Sequence, residues 1–366
     1  MENMVKLNPT CWQDRSVLVT GHTGFKGGWL TFWLHRLGAN VHGYALAPST
    51  DPNLFEVAHI ASLLTSETRA DLADLAMLQS VFHEIQPEVV FHLAAQPLVR
   101  ESYRDPLSTL NSNVIGTAHL LEAVRATPSV RAIVIVTTDK VYENREWEYP
   151  YREVDPLGGH DPYSASKAAA EIVAASYRAS FFGGIEGHPV RLATARAGNV
   201  IGGGDWAIDR LVPDCLRAFA VGHSVHLRHP AAVRPWQHVL EPLAGYLLLT
   251  EQLLSPDGLR FAKAWNFGPD THGDATVGEV AAAVARCWGE GAHVVEYEPM
   301  SNHLHEAGVL RLDSTRARCE LGWQPRWSLG YALEQTVAWQ RALIKGEDMT
   351  RFSLDQIQAY EEGGRS

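Results

Sequence analysis

Basic side chains are in short supply. Across 366 residues, 31 Lys and Arg face 42 Asp and Glu, a formal net charge of −11. A general nucleic-acid or membrane-surface role needs basic patches, so neither partner is expected, although a few local donors suffice for a small anionic ligand. Cysteine is nearly absent too. Cys11, Cys215, Cys287 and Cys319 stand far apart, without a CxxC pair or a metal-finger spacing, the pattern of packed, reduced thiols in a cytoplasmic protein. No apolar run approaches the ~18 residues of a membrane span, and the start MENMVKLNPT has no apolar signal-peptide core. What remains, 46% hydrophobic and 20% charged, is the composition of a globular enzyme with ample core.

The first half alternates short β-branched runs with longer amphipathic stretches. Strands are predicted over 16–20, 41–46, 65–70, 88–94, 131–137 and 189–195, and helices over 27–37, 72–85, 107–126 and 163–180. The runs EVVFHLA and RAIVIVT are almost wholly apolar, as strands buried on both faces must be. The predicted fold is therefore α/β, a Rossmann-like doubly wound parallel sheet. The rhythm breaks after Gly198, where GNVIGGGD is loop and later helices such as 276–288 mix with short strands. That break predicts a smaller α+β substrate-binding domain. The expected division is 1–195 with about 237–269, against 196–236 with 270–366.

The first strand runs into Thr20-Gly21-His22-Thr23-Gly24-Phe25-Lys26-Gly27-Gly28, a GxxGxxG that opens a helix. Glycines there allow a tight turn, close approach to a pyrophosphate and close helix packing, and the helix N-terminus offers unpaired N–H groups. The second strand ends Gly43-Tyr44-Ala45-Leu46-Ala47, with no Asp or Glu for an adenosine ribose and no nearby Arg cluster for a 2′-phosphate. NAD is thus expected over NADP. Asp71, followed by Leu72, either lies beside the adenine amino group or caps the next helix. Tyr163 and Lys167 form a YxxxK, which on a helix puts both on one face about 6 Å apart along the axis. A phenol with a pKa of ~10 is a poor base at neutral pH, and a neighbouring ammonium stabilises its phenolate. Thr137-Thr138-Asp139-Lys140 ends the fifth strand, on the edge where doubly wound sheets hold substrates. There Thr138 helps orient a reacting alcohol, while Asp139 and Lys140 add an acid and a base that simple alcohol oxidation does not need. Asn113 reads as structural support. His22, His92, His303 and His305 show no metal-ligand spacing, so no metal is expected.

These motifs, with AAQPLVRESY, TTDKVYEN, RAGNVIGGGDW, RPWQHVLEP and HEAGVLRLDSTRA, resemble the extended short-chain dehydrogenase/reductase family of nucleotide-sugar enzymes. Within it they are most similar to the CDP-glucose 4,6-dehydratases, since the dTDP-glucose enzymes carry Glu where Lys140 stands. The resemblance implies NAD against Gly21, Thr23, Gly24, Phe25, Lys26 and Gly27. It implies further cofactor contacts at Asp71 and Leu72, at Leu93, Ala94 and Ala95, and at Tyr163 and Lys167. It implies CDP-glucose as substrate, met by Gln96, Arg100, Asn199, Arg210, Arg234 and Asn266. For Arg210 an internal ion pair is an equal alternative. In the implied chemistry Tyr163, with Thr138 and Lys167, takes the 4-hydroxyl proton during oxidation at C4. Lys140 then removes the C5 proton or stabilises the enolate, and Asp139 protonates the departing 6-hydroxyl. The helices 107–126 and 161–180 imply a homodimer, with a tetramer left open. The family feeds the deoxysugars of cell-surface polysaccharide such as O-antigen. The rival readings are a 4-epimerase or a dehydratase of a UDP or dTDP sugar, and a catalytically silent Rossmann binding protein.

Overall fold

A computed structural model describes residues 6–183, 188–270, 274–296 and 308–363. Six strands, β1 (Ser16–Thr20), β2 (Asn40–Ala45), β3 (Ser66–Arg69), β4 (Val89–His92), β5 (Ala132–Val136) and β6 (Arg191–Ala197), are joined by a seventh, Ala264–Phe267. The sheet runs in the order Ala264–Phe267, β6, β5, β4, β1, β2, β3, and every pairing in it is parallel.

Alternate side chains of each strand enter two separate cores, as the two-residue period of a strand requires. Val17, Val19, Val89, Phe91, Val134 and Val136 face one core, built with Trp29, Phe32 and Trp33 of the helix Phe25–Arg36 and with the helix Leu240–Leu254. Leu18, Val90, Ile133 and Ile135 face the other, closed by Leu78 and Phe82 of the helix Leu75–Ile85 and by Leu120 and Val124 of the helix Gly116–Arg125. The helix expected over 107–126 is continuous but carries a π turn, Asn111–Ile115, between Pro106–Leu110 and Gly116–Arg125. The helix expected from 72 begins at Leu75, because Asp74 caps it by accepting from Met77 N at 2.9 Å.

Beyond β6 the strands shorten. Val200–Ile201 pairs with Gln237–His238, Val233–Pro235 with Asp274–Thr276, and Ser224–Leu227 with His293–Glu296. The helices Leu211–Ala220 and Val277–Trp288 pack over them around Val212, Phe219, Val280 and Trp288. The last two helices, Leu329–Ile344 and Met349–Glu361, depart from the expected division. They carry Trp339, Met349, Ile357 and Tyr360 into the core beside Trp33. Polar contacts bind that return: Trp33 Nε1 donates to Glu361 at 2.8 Å, and buried Glu241 accepts from Tyr360 Oη at 2.6 Å and Trp327 N at 2.7 Å. Residues 270–366 are therefore not all in the smaller unit. Among the described residues, no helix is long and apolar enough to cross a membrane.

Candidate active site

Two constraints shape the turn after β1. Gly21 has φ +77°, and a Cβ on it would lie 2.6 Å from Ala94 N. A Cβ on Gly27 would lie 2.1 Å from Gly21 O. The turn is thus pressed against the end of β4, where Leu93, Ala94 and Ala95 follow, and Thr20 Oγ1 accepts from Ala94 N at 3.3 Å. Gly24 is the N-cap of Phe25–Arg36 and brings no capping side chain, so the first-turn N–H groups are left for a ligand. A turn this close to the sheet, over an uncapped helix start, fits a dinucleotide pyrophosphate.

The adenine end departs from expectation. Asp71 caps no helix: its Oδ1 accepts from Ala73 N at 2.9 Å, and its carbonyl accepts from Tyr44 Oη at 2.8 Å. The Leu72 side chain is buried in the second core against Gly116, which leaves only its backbone for a ligand.

Thr138, Asp139 and Lys140 leave the carboxyl end of β5 in a single 3-10 turn that Thr138 caps, its Oγ1 accepting from Lys140 N at 3.4 Å. Thr138 Oγ1 donates to Asp139 Oδ1 at 2.9 Å. Asp139 is 2% exposed, and its Oδ2 has no partner among the described residues. Burial raises its carboxyl above the usual range, opposed by the charges of Lys140, Arg234 and Lys26. The shift is in the direction that favours the protonated form, the state a general acid requires.

Tyr163 and Lys167 lie on the helix Pro162–Ser180, which Asp161 caps by accepting from Ser164 N at 2.9 Å. Burial pushes the Tyr163 phenol up to about 12, against the opposing influence of Thr138 and Arg210. Burial pushes Lys167 down to about 8, and its Nζ donates to Val136 O at 3.2 Å. In the protein alone burial thus sets the direction of the Tyr163 shift, away from the phenolate. Lys26 is brought down to about 7 by burial and by Arg210, and it shares the neighbourhood of Asp139, Lys167 and Asp205. The Gly-rich turn and the Thr-Asp-Lys turn therefore meet.

The expected substrate residues divide. Arg234 is buried beside Asp139, and its Nη1 donates to Val233 O at 2.8 Å and Gly308 O at 3.2 Å. Arg210 makes the internal ion pair weighed for it, with Asp205 at 2.9 Å, and its charge also bears on Tyr163. Arg100 pairs with Asp209 at 3.3 Å, which also pairs with Arg228 at 3.1 Å. The half-buried side chain of Asn199 makes no hydrogen bond among the described residues, while its carbonyl accepts from Gln237 N at 3.1 Å.

Two expectations are corrected. Asn266 is fully buried, accepts from Tyr142 Oη at 2.7 Å and donates to the carbonyls of Tyr151 and Asp313 at 2.9 and 3.0 Å. Gln96 accepts from Leu98 N at 2.5 Å and donates to Leu98 O at 3.1 Å and Thr109 Oγ1 at 2.8 Å. Both amides are spent inside the protein and shape loops instead of meeting substrate.

Three contacts position the catalytic groups, and the sequence reading anticipated only that of Asn113. Tyr163 N donates to Ser102 Oγ at 3.0 Å. Asn113, in the π turn, donates to Gln96 O at 3.0 Å and Ser166 Oγ at 2.8 Å, bracing the loop against the catalytic helix as the structural reading expects. Glu171, one further turn along the face of Tyr163 and Lys167, accepts from Thr137 Oγ1 at 2.6 Å, Thr194 Oγ1 at 2.7 Å and the Arg196 guanidinium at 2.9 Å. The spacing YxxxKxxxE was the available signal for it. His22 and His92 are buried, bonded to Glu67 at 2.8 Å and to Thr20 at 2.8 Å; His303 and His305 lie outside the described residues.

A family model described as GDP-mannose 4,6 dehydratase matches residues 18–336. The chain belongs to that family. This dehydratase-family chain is 49% identical, over 95% of its length and 97% of the relative's, to a CDP-glucose 4,6-dehydratase of Salmonella typhimurium. It is 26% identical, over 88% and 97%, to a dTDP-glucose 4,6-dehydratase of Haemophilus influenzae. Among solved structures, the Thermus thermophilus UDP-glucose 4-epimerase in complex with NAD matches with a TM-score of 0.74 at 25% identity, covering 89% of this chain and 98% of that one.

Removing Glu171 leaves the Arg196 guanidinium buried and uncompensated. Glu171→Ala is expected to lower the unfolding free energy by about 3–5 kcal/mol, measured by urea denaturation.

Proposed function

We propose that the chain dehydrates CDP-D-glucose to CDP-4-keto-6-deoxy-D-glucose with NAD recycled in each turnover. The observation that carries this reading is Asp139, a buried carboxyl whose pKa is raised by burial, beside Lys140 and next to the Thr138 and Tyr163 hydroxyls. A 4-epimerase needs no acid for the 6-hydroxyl, and a silent binder needs none of the four. The likeness at 49% identity to a CDP-glucose enzyme supports cytidine as the base.

NAD, held by the Gly-rich turn of residues 21–27 and by Tyr163 and Lys167, would supply the hydride acceptor for C4, the hydride donor for C6, and a nicotinamide positive charge that favours the phenolate. Tyr163 takes the proton of the 4-hydroxyl, with Thr138 orienting that oxygen and Arg210 and Lys167 as the cations at hand. The 4-ketone acidifies the C5 proton, which Lys140 removes. The electron pair left at C5 forms the C5–C6 double bond as the C6–O bond breaks, and Asp139 delivers the proton that turns the leaving oxygen into water. Hydride addition at C6 then lets C5 recover its proton from Lys140. Arg234, Arg210, Arg100 and Asn199 are assigned to the nucleotide diphosphate, where guanidinium forks suit phosphate oxygens.

The assembly is assigned as a homodimer through the helices of residues 106–125 and 162–180. Leu107, Leu110, Ile115, Ile172 and Phe181 are large apolar side chains left exposed on them, a patch that marks an interaction surface. A cytoplasmic setting suits the four cysteines, all free thiols.

Incubation with NAD⁺ and CDP-, dTDP-, UDP- or GDP-sugars, followed by mass spectrometry, is expected to show loss of one water from CDP-glucose. Loss from another nucleotide instead overturns the base; loss from none overturns the dehydratase. Asp139→Asn is expected to slow elimination by roughly 10²–10⁴-fold while C4 oxidation proceeds, so the absorbance of reduced nicotinamide accumulates on mixing. Tyr163→Phe is expected to abolish that absorbance. Because the Asp139 carboxyl is raised, it stays protonated to higher pH than an ordinary carboxylate, and the elimination step is expected to fall only as pH rises through that elevated value. Ile115→Asp with Ile172→Asp is expected to shift the particle from dimer to monomer in light scattering.

A further inference from the structure

A buried carboxyl oxygen with no partner calls for a reason. Asp139 is 2% exposed, its Oδ1 accepts from Thr138 Oγ1 at 2.9 Å, and its Oδ2 has no partner among the described residues. What stands against Oδ2 supplies the reason. β6 ends at Ala197, and the next residue is Gly198. A Cβ on Gly198 would lie 3.0 Å from Asp139 Oδ2, 2.5 Å from Pro235 Cγ and 3.1 Å from Pro235 O. Glycine has no side chain to donate from, and proline presents a saturated ring and lacks an N–H. Neither wall of this slot brings a side-chain donor to Oδ2.

The slot is held from outside. Val233–Pro235 pairs with Asp274–Thr276, and Trp236 Nε1 donates to Ala275 O at 3.1 Å. Gln237 N donates to Asn199 O at 3.1 Å, which ties the Pro235 segment to the residue after Gly198. Gly198 has no positive φ, so the backbone there does not itself demand glycine. The contact with Asp139 and Pro235 does.

The charges around the carboxyl make a missing donor matter. Lys140 faces it from the same turn, Arg234 from beside Pro235, Lys26 from the helix Phe25–Arg36 and the Tyr163 phenol from the helix Pro162–Ser180. The three cations favour the carboxylate, and burial opposes them and prevails. A hydrogen bond to Oδ2 would side with the cations.

We infer that Gly198 is a positioning residue for the acid. By setting Oδ2 against bare backbone and the Pro235 ring, it fixes where the carboxyl stands and withholds the hydrogen bond that a carboxylate would need. The inference rests on Asp139 being the acid of the proposed dehydration, and its first test needs no turnover.

The infrared C=O stretch of the Asp139 carboxyl, isolated by subtracting the spectrum of Asp139→Asn in the same background, reports its protonation in the full chain without substrate. In wild type that band is expected to persist to higher pH than the bands of exposed carboxyls. Gly198→Ser sets a hydroxyl donor beside Oδ2 and is expected to move the loss of the band down by about one to two pH units, the worth of a hydrogen bond to a charged group. Gly198→Ala adds bulk without a donor, and is expected to slow elimination by roughly 10²-fold while C4 oxidation, read from reduced nicotinamide, stays within about threefold. Where the added Cβ prevents folding, Pro235→Ala removes the ring atom 2.5 Å from it, and both variants are read in that background. A wild-type band lost in the ordinary carboxylate range overturns the inference, and so does a band that Gly198→Ser leaves in place. Equal slowing of oxidation and elimination in Gly198→Ala, the mark of a merely structural defect, overturns it too. If wild type dehydrates no nucleotide sugar, the proposed function falls, while the titration still decides the role of Gly198.

Discussion

One buried carboxylate holds the reaction centre together. Glu171 joins the catalytic helix to Thr137 at the end of β5 and to Thr194 and Arg196 of β6. The chain of contacts continues outward. Arg196 Nη1 donates to Tyr142 Oη, Tyr142 donates to Asn266, and Asn266 donates to the backbone at Tyr151 and Asp313. The Thr-Asp-Lys turn and the helix of Tyr163 and Lys167 are tied together by this network, since Thr137 precedes that turn and Glu171 lies on that helix. A buried ion pair adds little net stability compared with apolar packing, but fully hydrogen-bonded it fixes one arrangement.

Within that frame the cleft opposes charge of either sign. Burial raises Asp139 and Tyr163 and lowers Lys26 and Lys167, so each group is driven toward its neutral form. A common drive toward neutrality lets protons move between such groups without leaving a bare charge in a desolvated cleft.

The periodic parts of this organisation were legible in the amino-acid order. Apolar runs marked strands because both sheet faces are covered, and the YxxxK and GxxGxxG spacings marked the catalytic helix and the turn because helical geometry and close packing dictate them. What escaped reading depends on contacts across sequence distance. Gln96 and Asn266 look like ligand-binding amides until their internal partners are known. Asp71 looks like a helix cap until the helix is seen to start three residues later, on Asp74. The burial that raises the Tyr163 phenol is likewise invisible in a spacing pattern.

The return of the last helices has a consequence for biosynthesis. Trp339, Met349, Ile357 and Tyr360 belong to the same core as Val17, Val19 and Trp33. Domains commonly fold in order of emergence from the ribosome. Here the sheet that forms from the earliest residues keeps an apolar flank open until Tyr360 has been made. The nascent chain must therefore carry a sticky, half-closed sheet through nearly the whole of its translation.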